Sequence, residues 1–225
     1  MLKEIANIWQ GKTLMRDVLA ELVDMISDGQ YVFTHAWKMC GGEAAPEDLK
    51  EKVLDRDKSI NRGERKIRRM LVEHLTLNPG HDVSGCLAMM VMAKDAERIG
   101  DLAKDLLRLG TEARGRIREL DPHPRIFEVV DGLSQSFSVL QEAIRQSDPD
   151  VTDRLFTNYK KVKAWCRELS DDAVREGRTA ETSALNALLV QTLSRINAHI
   201  GNVASGIVFP IENIDFVSRG LKRRD

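Results

Sequence analysis

Lys94-Asp95-Ala96-Glu97-Arg98-Ile99-Gly100-Asp101-Leu102-Ala103 lies in the middle of a long stretch with helical periodicity. Leu87, Met90, Val91, Ala93, Ile99, Leu102, Leu106 and Leu109 recur at the spacing of a buried stripe, the signature of an amphipathic helix. On that helix Glu97 and Asp101 stand one turn apart on the same face, with Cβ atoms about 5–6 Å apart. Like charges so placed repel, and something must offset them. A bound metal ion is one candidate; the flanking Lys94, Arg98 and Lys104 are the other.

The remainder of the chain is equally helical in character. Of 225 residues, 42% are apolar, 31% charged and only 5% aromatic, a balance that favours helices over sheet. Lys plus Arg is 34 and Asp plus Glu 35. Basic residues are spread along helices and not gathered in blocks, so a nucleic-acid partner is not expected. No stretch approaches the roughly 18 uncharged apolar residues of a membrane span. The start of the chain lacks the apolar core of a secretion signal. Cys40, Cys86 and Cys166 are widely separated and odd in number, as expected of buried thiols in a reducing cytoplasm.

Six helices are expected. They cover about 13–40, 46–77, 83–117, 125–147, 150–176 and 182–209, and Gly41-Gly42, Asn78-Pro79-Gly80, Pro122, Pro124, Pro149, Gly177 and Pro210 punctuate them. Pro46 is expected to open the second helix and Ser84 to cap the third. Long antiparallel helices with short connections make an all-α architecture of two tandem three-helix bundles, divided as residues 1–121 and 122–225. The halves read as weak repeats: Ala96 to Ala103 lines up with Leu193 to Ile200 through a shared Arg-Ile. Trp37, Trp165, Met89, Met90 and Met92 are expected in the core. His35, His74, His81 and His123 are expected at the surface. Ile8 and Trp9 are expected to pin the lead segment, Ile211 to Phe216 to lie back on the bundle, and Leu221 to Asp225 to fray.

A second pair, Asp57 and Asn61, stands at the same spacing on the second helix. Both pairs sit roughly 27–33 Å from the intervening turn at 1.5 Å per residue, so they can face each other. Three carboxylates and one amide oxygen suit a hard or borderline cation such as Fe, Mn, Mg or Ca, or a metal cluster. Asp55 and Glu64 read as surface charges or as the edge of such a site.

These residues carry a resemblance. Asp57-xxx-Ile60-Asn61-xx-Glu64, followed at family spacing by Ala96-Glu97-Arg98-Ile99-Gly100-Asp101, resembles the first repeat of PhoU proteins. The resemblance implies two three-helix bundles and metal ions or clusters (Fe, Mn, Zn or Mg) held by acidic pairs on the second and third helices of a repeat. Here the ligands would be Asp57, Asn61, Glu97 and Asp101. It also implies a cytoplasmic, homodimeric regulator of inorganic phosphate uptake. Such a protein would act with a phosphate transporter component or a sensor histidine kinase, and would reach the membrane only through that partner. The chain departs from the family pattern at Asn61, where a second acid is usual. In the second half, Ser194 and Ala198 replace Glu97 and Asp101, and Tyr159 and Lys163 replace Asp57 and Asn61. One metal site per chain is therefore expected. With no nucleophile placed beside a base, catalysis is not expected. The alternatives are a carboxylate-bridged metalloenzyme, disfavoured because Gly100 follows Glu97 where a histidine would be needed, and a metal-free helical adaptor.

Overall fold

A computed structural model describes residues 13–41, 48–112, 125–146, 148–173, 179–215 and 217. Its helices are α1 (Thr13–Cys40), α2 (Leu49–Leu77), α3 (Val83–Glu112), α4 (Arg125–Gln146), α5 (Pro149–Ala173) and α6 (Ala180–Val208), with a short 3-10 turn at Ile211–Asn213. The all-α architecture matches the pattern of apolar residues closely, because each stripe is long and regular. The expected Pro46 start, the run to Ile117, the boundary at 121/122, His123, Ile8, Trp9 and the C-terminal basic residues lie outside the described residues.

Helix ends follow local chemistry. The α2–α3 turn is made by Asn78, whose backbone and side-chain amides both donate to the His74 carbonyl at 2.9 and 3.0 Å. Gly80 then takes φ +80°, the left-handed region that glycine enters without a steric penalty. Ser84 does not cap α3: the helix begins one residue earlier, and the Asp82 carbonyl accepts the Cys86 amide at 2.9 Å. Thr179 caps α6, its Oγ1 accepting the Thr182 amide at 3.2 Å. The expected start of that helix at Thr182 is thus displaced to Ala180.

Helices α1, α2 and α3 pack on one another, as do α4, α5 and α6. The two halves are not independent. Contacts of α1 with α4 and of α3 with α6 join them, and one apolar cluster runs through all six helices. Phe33 and Phe137 meet across the α1–α4 contact with ring centroids 5.4 Å apart. Met92 packs over Gly206 at the α3–α6 contact, where a Cβ would fall 2.4 Å from Met92 Cγ.

Met89 and Met92 are buried as expected, and so are all three thiols. Burial pushes Cys40 and Cys166 up to about 12, which leaves them unreactive near neutral pH. Other expectations fail. Met90, Trp37 and Trp165 are only half-buried at the core margin, and Arg125 and Lys161 cover the Trp165 ring at 5.7 and 4.7 Å. His74 is not a surface residue but sits in the interior, its Nε2 3.3 Å from Asp82 Oδ2.

The acidic seam between α2 and α3

Gly100 decides how near the two acidic helices lie. A Cβ there would fall 2.6 Å from Ile60 Cδ1, so the bare backbone of α3 seats Ile60 of α2. On either side of this contact, the carboxylates of the two helices face each other in two layers.

In one layer, Lys104 Nζ donates to Asp57 Oδ1 at 2.6 Å and to Asp101 Oδ1 at 3.3 Å. In the other, Lys94 Nζ donates to Glu97 Oε2 at 2.8 Å and lies 3.6 Å from Glu64 Oε1. Arg68 closes on the same Glu64 oxygen at 2.7 Å. Arg98 reaches Asp101 at 3.5 Å and Glu97 at 3.8 Å. Asp57, Glu64, Glu97 and Asp101 are thus met by Lys94, Lys104, Arg68 and Arg98, and formal charge balances within the seam. Glu64 and Glu97 are buried, whereas the lysine heads stay half-exposed on apolar stems. For Lys104, partial burial works against the charged form, but hydrogen bonds and charge from Asp57 and Asp101 outweigh it and hold the ammonium above its ordinary range.

The structure therefore brings Asp57 to Asp101 and sets Glu97 beside Glu64. It does not bring Asn61 to them. The Asn61 amide turns back and donates to the Asp57 backbone carbonyl of its own helix at 2.9 Å. Among the described residues, no three His, Cys, Asp or Glu side chains gather closely enough to share a metal ion. As arranged, these side chains do not fit a metal ion or cluster, because an ammonium group stands where the cation would. Asp55 is a surface charge paired with Lys58. Glu64 belongs to the seam; its place i+4 from Ile60, the residue under Gly100, is the signal that marks it.

The second half repeats the seam positions without their carboxylates. With Val162 set on Ile60 and Arg195 on Arg98, Cys166 takes the place of Glu64 and Ser194 that of Glu97, and Cys166 hydrogen-bonds Ser194. Tyr159 takes the place of Asp57 and Gly201 that of Lys104; a Cβ on Gly201 would fall 2.7 Å from the Tyr159 ring. Asn197, at the place of Gly100, donates to the Tyr159 carbonyl at 3.1 Å. The geometry of the repeat survives, while its ion pairs become a ring laid on glycine.

A second polar cluster went unread in the sequence. Buried Asp95 of α3 points away from the seam toward α6, where His199 Nδ1 lies 2.6 Å and Asn202 Nδ2 3.2 Å from its Oδ1. Asp215 of the C-terminal segment closes on the same group. Its carboxyl is pushed up by burial and by the Asp95 charge, against the pull of His199.

Two fused three-helix bundles, with paired carboxylates between the second and third helices, define an all-α helical-bundle fold. Residues 43–109, which span α2 and nearly all of α3, match the family model of the PhoU domain, so the resemblance seen in the motif holds over that stretch. It is 27% identical over 173 residues to the phosphate-specific transport system accessory protein PhoU homolog of Synechocystis sp., covering 70% of this chain and 72% of that protein. The fold matches PhoU from Pseudomonas aeruginosa with a TM-score of 0.71 at 21% identity, over 92% of this chain and 98% of that one. It also matches the phosphate transport system regulatory protein PhoU from Streptococcus pneumoniae, with a TM-score of 0.68 at 14% identity, over 89% and 97%. At these identities the two structures speak to fold alone.

Proposed function

We propose that this chain is a regulator of inorganic phosphate transport that works by binding a partner and not by turnover. The observation that carries this reading is the PhoU-domain match over residues 43–109, which falls on the same two helices that hold the acidic seam. The Synechocystis relative is named as an accessory protein of a phosphate-specific transport system, which supports the pathway. The partner is a component of a phosphate transporter or its sensor histidine kinase, met at the cytoplasmic face. No described helix is long and apolar enough to cross a membrane; in this reading the chain meets the membrane through that partner. The regulator role requires no metal step.

Deleting the gene and following phosphate uptake in replete and in starved cells tests this reading. Loss of the normal difference in uptake between the two conditions, restored by the wild-type gene, is the expected result. Uptake that keeps its full response to phosphate after deletion refutes it.

A further inference from the structure

We infer that Lys94 and Lys104 are the resident cations of the acidic seam, so that the first bundle assembles without a metal ion. This inference needs only the fold and stands apart from the phosphate reading.

The positions of the two ammonium groups carry the argument. Each lies within hydrogen-bonding reach of a carboxylate on its own helix and near a second on the neighbouring one: Lys104 between Asp101 and Asp57, Lys94 between Glu97 and Glu64. Each is supplied from three residues away on α3, on the outer side of the acid it serves. The bridging role of a cation between two helices is therefore filled by covalently attached charge. Hard cations demand six or more oxygen ligands for calcium, and a near-octahedral shell for magnesium. Here the Asn61 oxygen belongs to an amide whose nitrogen is engaged with its own helix, and each carboxylate already has a cation beside it. With as many cations as carboxylates, the seam has no surplus negative charge to draw in a divalent ion.

The second half shows that these positions do not need a metal to hold two helices together. Cys166 with Ser194, and Tyr159 on Gly201, close the equivalent contacts with neutral groups. The lysines in the first half and the neutral pairs in the second are two ways of closing the same seam.

The test uses the full chain, purified in the presence of Mn(II), desalted and assayed for metal, with thermal unfolding followed with and without Mn(II) or EDTA. The wild type is expected to retain well under one metal ion per chain, with a Tm that neither additive moves. A Lys94→Met/Lys104→Met variant leaves the carboxylates uncompensated. It is expected to unfold at a lower temperature, to bind Mn(II), and to regain part of the lost Tm when Mn(II) is present. Lys104→Met alone, with Lys94 kept, carries the same expectation on a milder background. A wild-type protein that holds one or more metal ions and loses Tm on chelation overturns the inference. So does a variant that keeps the wild-type Tm and takes up no Mn(II), since the ammonium groups would then be neutralising nothing.

Discussion

Gly110 and Gly100 both let α3 approach a neighbour, yet they differ in what a methyl group would meet. At Gly110 the new Cβ would lie 2.8 Å from Cys40 Sγ and 3.0 Å from the Cys40 backbone nitrogen. Backbone cannot step aside, so the overpacking cost of about 1–3 kcal/mol exceeds the roughly 1 kcal/mol that alanine gains over glycine within a helix. Gly110→Ala is therefore expected to destabilise by up to about 2 kcal/mol in urea unfolding, the remainder of those two terms. At Gly100 the nearest atom is the tip of the Ile60 side chain, which can rotate. Gly100→Ala is expected to fall within about 1 kcal/mol of wild type, the two terms nearly cancelling. Equal losses at the two sites would contradict this account of helix approach.

The C-terminal segment makes its own prediction at the scale of the element. Phe209, Ile214 and Val217 are buried against the bundle, Phe209 stacks on Phe156 at 5.4 Å, and the Asp215 amide donates to Ser205 Oγ at 3.1 Å. Asp215 then brings a carboxyl up to Asp95, with His199 and Asn202 beside it. Because its folded pKa is raised, the folded state holds this proton more tightly than the unfolded chain. The stabilisation is complete below the ordinary carboxyl range, about pH 4, and is lost as pH rises through the folded value. Asp215→Asn removes that loss, and asparagine tolerates the φ of +70° found there. The variant is expected to gain Tm over wild type at pH 7 and to lose most of that advantage at pH 4; an advantage that grows on acidification would contradict it. The helices themselves were legible because their apolar stripes are long and capped by proline and glycine. The seam was half legible. Spacing put Asp57 and Asp101 on facing surfaces, but helical periodicity does not say whether a lysine three residues away turns inward, nor that the Asn61 amide would bond its own backbone. Asp95 was hidden for the same reason: its neighbours His199 and Asp215 are more than a hundred residues distant, and no local pattern joins them.

For the whole molecule, the decisive feature is that two repeated halves share one core. The Phe33–Phe137 contact joins α1 to α4, so truncation there acts on both bundles at once. Phe137→Ala is expected to cost about 3–5 kcal/mol and to shift a single calorimetric transition downward. A transition that splits in two, with one half keeping its wild-type Tm, would show that the bundles unfold separately. Within this shared frame the second half closes its seam with neutral side chains and the first with carboxylates and lysines. A crystal structure of the full chain grown in Mn(II), with anomalous diffraction measured near the manganese edge, tests the central claim most directly. The account predicts no anomalous peak between α2 and α3, and the Lys104 ammonium between Asp57 and Asp101. A peak within coordinating distance of both carboxylates, with Lys104 swung out to solvent, would contradict it.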